Sequence, residues 1–185
     1  DIDQVHVHTS YLGGGLGGKS EVKNVEQAVE IGNMLKKPVK LIWTRDNDLK
    51  HDFYRPGMCC EIEGGLDAEG NLIAWSHKVA AASILMRRFP EMMERGIDSR
   101  MHEGVRDMLY SVPNLLVHQM LMEELPVPVG FWRSVGHSFG AFTKESFVDE
   151  MAHAAGKDPL SFRLNLLKEN PIATRVLEQA ARASN

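Results

Sequence analysis

Apolar and polar residues alternate at the start of the chain. Val5, Val7 and Thr9 fall on one side, Gln4, His6 and His8 on the other, which predicts a strand with one polar face. Over 21–37 the spacing changes to helical: Val22, Val25, Val29 and Gly32 form one stripe, with Ala28 and Leu35 beside it. Ser20 stands where an N-cap belongs, and Pro38 stops the helix. Val39-Lys40-Leu41-Ile42-Trp43 reads as a second strand, so 5–43 predicts a βαβ-like unit, followed by a polar turn over 44–48. Strands are expected at 58–66 and 72–82 around the turn Asp67-Ala68-Glu69-Gly70-Asn71. Residues 86–106 are charged and Met-rich without a clean period, predicting a loop with short helical turns. A strand at 115–122, an extended stretch at 126–130 and a loop at 131–136 follow. Helices are then expected at 141–155, 160–168 and 174–182, with Gly156 closing the first and Asp158-Pro159 opening the second. The fold class is α+β, mixed sheets with helices, in one unit. Its parts are 1–85 (glycine loop, helix and strands), 86–111 (irregular insertion) and 112–185 (second loop and C-terminal helices).

One segment fits neither period. Gly13-Gly14-Gly15-Leu16-Gly17-Gly18-Lys19-Ser20 has five glycines in six positions, each weakening regular structure by roughly 0.5–1 kcal/mol relative to Ala. Such a backbone can approach a ligand closely and offer it N–H groups. The run also satisfies G-x-x-x-x-G-K-[ST], the phosphate-binding loop of nucleotide hydrolases. A P-loop, however, follows a buried, continuously apolar strand, and Asp3-Gln4-Val5-His6-Val7-His8 is half polar. Residues 133–136 form a second, weaker loop signal, with Arg45-Asp46 and Tyr54-Arg55-Pro56 between the two.

Other chemistry is sparse. His6 and His8 share a strand face but lack a third ligand, and read as solvated. Cys59 and Cys60 are adjacent, which suits two free thiols on opposite faces. Glu123 and Glu124 would likewise point apart, excluding a carboxylate dyad. There is no G-x-S-x-G or H-E-x-x-H pattern. The 185 residues are 43% hydrophobic with net charge −4 and no long run of one sign, so nothing points to nucleic acid. No apolar stretch is long enough to span a bilayer. The chain opens on Asp1-Ile2-Asp3 without an initiating Met, as expected of a piece of a longer polypeptide.

These segments, in this order, resemble the xanthine dehydrogenase and aldehyde oxidase family of molybdenum hydroxylases. Residues 13–19 resemble its G-G-G-F-G-G-K loop, and Lys37-Pro38-Val39-Lys40 with Arg45 resembles K-P-V-K-x-x-x-x-R. Asp67-Ala68-Glu69-Gly70 resembles the D-x-x-G hairpin. Phe131-Trp132-Arg133-Ser134-Val135-Gly136 is similar to the A-x-R-G-x-G loop, and 147–163 to E-x-x-x-D-E-L-A…G-x-D-P-x-x-x-R. The version over 132–138 most resembles the large (beta) subunit of the isoquinoline 1-oxidoreductase type. The resemblance implies part of the molybdopterin-binding region of a large subunit that hydroxylates N-heterocycles or oxidises aldehydes with oxygen from water. It implies a molybdopterin cofactor with molybdenum, in bacteria often the cytosine dinucleotide. It also implies a small 2Fe–2S subunit and the rest of the large subunit as partners, in a bacterial periplasm or cytoplasm. Gly14, Gly15, Leu16, Gly17, Arg133 and Ser134 are the implied cofactor-binding residues, with Ser20 and Val135 in the substrate pocket.

Three positions depart from the family pattern. Leu16 replaces a frequent Phe, Ser134 replaces a Gly, and Ser20 stands where xanthine dehydrogenases place a substrate-orienting Glu, with Glu21 one place late. These departures argue against purine recognition. The family's general base is a Glu in a G-x-G-E motif, which is absent here, so no catalytic residue is expected within the chain. A P-loop NTPase and a non-enzymatic scaffold are the alternatives.

Overall fold

A computed structural model of the protein describes residues 2–122 and 125–184; Glu123 and Glu124 lie outside the described residues. Its centre is a three-stranded sheet in the order β1-β2-β3. Strands β1 (Met58–Leu66) and β2 (Leu72–Ala81) pair antiparallel, and β3 (Asn114–Leu121) pairs parallel to β2. The hairpin forms as its sequence predicts. The Asp67 carboxylate accepts from the amides of Asn71 (2.7 Å) and Glu69 (3.0 Å), and Gly70 takes φ +71°. Those bonds, with Asn71 first, hold the Asp67 carboxyl below its ordinary pKa.

One face of the sheet is covered, as the alternating burial along β2 requires. At one end lie helices α4 (His137–Ala154) and α5 (Pro159–Leu166), which bury Leu72 and Trp75 with Val148, Met151, Phe162 and Leu166. Trp75 meets Phe147 edge-on at 4.8 Å. At the other end Met101 packs on Val79 and Ala81. This second cover belongs to the Met-rich insertion, which consists of α3 (Ile84–Arg88) and short 3-10 turns, as its lack of period suggests. Helix α5 starts at Asp158, whose side chain accepts from the Ser161 amide at 2.8 Å, and α6 spans Pro171–Ala183.

The first forty residues differ from the reading above. Residues 5–10 and 39–43 form no strand, so no βαβ unit exists among the described residues; Val7 is 84% exposed and Ile42 71%. Alternation specifies a strand's faces but not its hydrogen-bonding neighbour, and neither segment has one here. The helix between them, α1, runs Lys23–Leu35 and starts at Val22 without a side-chain cap. Ser20 is therefore not its N-cap; it ends a 3-10 turn over Gly18–Ser20. Residues 44–48 are helical rather than a turn: Thr44 caps α2 (Arg45–His51) by accepting from the Asn47 amide.

Candidate functional site

The two loops singled out in the sequence meet in space. Gly17, at φ +94°, lies so close to the second loop that a Cβ there would sit 2.5 Å from the Phe131 carbonyl carbon and 2.8 Å from the Trp132 nitrogen. Only glycine combines that φ with that approach. Lys19 folds back to donate its ammonium to the Leu12 carbonyl, closing the loop on itself. The amides of Gly14, Gly15, Leu16 and Gly17 donate to no protein acceptor among the described residues, so they remain available to a ligand.

The second loop, 131–136, is held from three sides. Arg55 donates to the carbonyls of Arg133 (2.7 Å) and Val135 (3.0 Å). Trp132 Nε1 donates to the Phe53 carbonyl at 2.8 Å. The Gly136 amide donates to Glu103 Oε2 at 3.1 Å, and Gly136 rests on the Arg100 carbonyl, where a Cβ would stand 1.8 Å away. Beneath it, Tyr54 and Val129 bridge in parallel: Tyr54 N donates to Pro128 O and Gly130 N to Tyr54 O, both at 2.8 Å.

Both loops carry backbone strain. Five described non-glycine residues have positive φ, and three of them are here: Leu16 (+49°), Ser134 (+73°) and Val135 (+43°). A β-branched residue in that region is an outlier that its surroundings must impose, and such outliers gather at functional sites. Arg55 supplies the constraint at 134–135.

The predicted residues are not all equivalent in space. Gly14 and Leu16 are exposed, Gly15 and Gly17 partly so, and Arg133 and Ser134 lie on the exposed crest of the second loop. Val135 packs inward against Ala82, Ile84 and Val129. With Arg55, Met58, Met101 and Phe139 it also lines an apolar cavity of about 20 Å³, room for roughly one water. Glu21, the carboxylate one place late, is occupied: its side chain is 8% exposed and pairs with Arg87 and Arg88. It cannot orient a substrate while held there. Arg55, Phe53, Arg87 and Glu103 carry the site's geometry, and their partners lie up to 80 residues away. The one sequence signal was Tyr54-Arg55-Pro56 between the loops.

The nucleotide-hydrolase geometry is missing. A P-loop lysine sits in the first turn of the helix after the loop; here Lys19 binds Leu12 and α1 begins at Lys23. No group of three or more metal-ligating side chains occurs among the described residues, and no helix is long and apolar enough to cross a membrane. Two histidines are buried, His77 on β2 and His102 in the insertion, each with an unpartnered Nδ1. Burial, then the His102 charge, lowers the His77 pKa. Burial, then Arg106, lowers that of His102 against the opposing Asp98, Glu103 and Asp107.

Comparison with known proteins agrees with this architecture. Residues 1–167 match the family described as "Molybdopterin cofactor-binding domain". The isoquinoline 1-oxidoreductase subunit beta of Brevundimonas diminuta is 31% identical over 99% of this chain and 24% of its own length. The membrane-bound aldehyde dehydrogenase [pyrroloquinoline-quinone] of Gluconacetobacter polyoxogenes is 30% identical over 89% of this chain and 22% of its own length. Among solved structures, quinoline 2-oxidoreductase of Pseudomonas putida 86 superposes with TM-score 0.66 at 22% identity, covering 93% of this chain and 26% of that one. The chain thus spans about a quarter of the length of the curated relatives it matches.

Proposed function

Because this chain belongs to the molybdopterin cofactor-binding domain family, we propose that its two docked loops form one wall of the cofactor site of a molybdenum hydroxylase large subunit. The observation that carries this is the row of unpaired amides at Gly14, Gly15, Leu16 and Gly17, pressed through Gly17 against 131–132. The row fits a large acceptor-rich group: these peptide donors have no acceptor among the described residues, and glycine leaves no side chain to hold that group off. Arg133 and Ser134, on the exposed crest beside them, face the same group.

When bound, molybdopterin supplies the two-electron redox chemistry by which an N-heterocycle is hydroxylated, or an aldehyde oxidised, with oxygen from water. The chain's own residues bind and orient. The amides of 14–17 donate hydrogen bonds, Arg55 fixes the crest carrying Arg133 and Ser134, and the apolar cluster of Ala82, Ile84 and Val129 supports Val135 from below. No unpaired carboxylate belongs to this set: Glu21 pairs with Arg87 and Arg88, and Glu103 with Arg100 and the Gly136 amide. The general base comes from outside these residues, as do the remaining walls. In its bacterial form the cofactor is the cytosine dinucleotide, and a small 2Fe–2S subunit takes the electrons. The substrate is an N-heterocycle or an aldehyde rather than a purine.

Cofactor analysis of the protein purified from its own source tests the reading. Molybdenum and a pterin near one per chain, with cytosine monophosphate released on hydrolysis, is the expected result. A quinone, as named for the Gluconacetobacter polyoxogenes relative, or neither group, would overturn it.

A further inference from the structure

The glycine loop leaves through Glu21, and the second loop enters through Val129. A single side chain, Arg87, touches both. Its Nε donates to the Val129 carbonyl at 2.7 Å, and its Nη2 donates to Glu21 Oε1. The guanidinium lies 4.1 Å from the centre of the Phe53 ring, and Phe53 is the residue whose carbonyl accepts the Trp132 indole. Gly130 closes on the same phenylalanine, where a Cβ would stand 2.5 Å from Phe53 Cβ. Arg88 reinforces the first side, with its Nε on the Ser20 carbonyl at 3.0 Å and 3.8 Å from Glu21 Oε2.

Each contact alone is an ordinary stabilising one. Together they place one planar fork between two loops that each carry part of the site. The fork matters: arginine can stack on a ring while donating along two directions, which a lysine ammonium on a flexible stem does not reproduce. The Glu21 carboxylate has little water left, so it depends on its guanidinium partners to stay in place.

We propose that Arg87 is a positioning residue that sets the spacing between the glycine loop and the second loop, and through that spacing the hold on the cofactor. This rests on the reading of the loops as a cofactor wall. Residues that orient a bound group from behind typically change its affinity by about 10–100-fold when removed.

The test compares wild type, Arg87→Gln and Arg87→Lys in the protein as purified from its own source. In Arg87→Gln, exchange of the hydrogen-bonded amides that close the two loops, Lys19, Ser20 and Glu21 in the first and Gly130, Val135 and Gly136 in the second, is expected to quicken about tenfold or more, but not that of β1 or β2. Pterin and molybdenum per folded chain should fall about tenfold. Arg87→Lys keeps the charge without the fork and should behave like Arg87→Gln. If Arg87→Gln does not fold, Glu21→Gln removes the same link from the other side, with the same expected changes. Unchanged exchange in either loop, unchanged cofactor content, or a wild-type Arg87→Lys overturns the proposal. If wild type itself carries no pterin, the cofactor reading fails, and the exchange measurement still decides whether Arg87 couples the loops.

Discussion

At the residue scale, Gly15 and Gly17 are two positions apart and make opposite demands. A Cβ on Gly17 would enter the Phe131 backbone, at a φ of +94°. Gly17→Ala is therefore expected to cost about 1–3 kcal/mol in urea unfolding, from strain and overpacking. A Cβ on Gly15 meets Lys19 Cβ at 3.5 Å and Leu12 Cδ2 at 3.8 Å, both ordinary contacts. Gly15→Val should leave the unfolding midpoint nearly unchanged yet abolish cofactor loading, because the added methyls cover the free amides. A fully loaded Gly15→Val protein would reduce this loop to a plain turn. Ser20 makes the sharpest difference between sequence and structure. Its place before a helical stripe reads as an N-cap, but the helix starts at Val22 and the Ser20 hydroxyl bonds to nothing described. Ser20→Ala should thus change stability by no more than about 0.5 kcal/mol, the usual range for a surface substitution. Capping depends on where the first helical turn forms, and the loop's docking against 131–132 decides that.

At the element scale, the aperiodic stretch read over 86–106, with α3 at its start, is the least legible part of the sequence and a main support of the site. Asp98 is fully buried and collects the Ser83 hydroxyl at 2.6 Å, the Arg100 amide at 2.8 Å and the Leu85 amide at 3.3 Å. Ser83 also caps α3 by accepting from the Met86 amide at 2.8 Å. Ser83→Ala removes the cap and one donor to a buried carboxylate. We expect a loss of about 1–3 kcal/mol, read from thermal and urea unfolding, and a stability like wild type would show Asp98 to be satisfied without it. The hairpin, the capped α5 and the helical stripe of α4 were legible because each rests on local signals: a turn sequence, a cap and a period. The pairing of β3 alongside β2 was not, since a parallel neighbour is chosen by contacts far apart in the chain.

At the scale of the whole molecule, burial of His77 and His102 favours their neutral form over the charged one. Their pKa values lie below the ordinary 6.5, so below that value the unfolded chain binds more protons than the folded one. Their contribution is complete above pH 6.5 and is lost as the pH falls through the lower folded values. The urea midpoint should therefore drop between about pH 7.5 and pH 5.5, and His102→Gln should flatten that drop; an unchanged slope would remove His102 from the account. The sequence by itself determined the hairpin, the three C-terminal helices, the density of glycine at 13–18 and the resemblance carried by the order of its motifs. Those features are local or serial, and neither kind needs a partner in space. Tertiary structure alone decided that Gly17 docks on the second loop, that Arg55 and Arg87 hold it, that Glu21 is consumed in an ion pair, and that 5–10 and 39–43 remain without a sheet. Each of these depends on which distant segment arrives at a given point. Residue spacing along a chain carries no record of that, because burial and pairing are settled only when the surfaces meet.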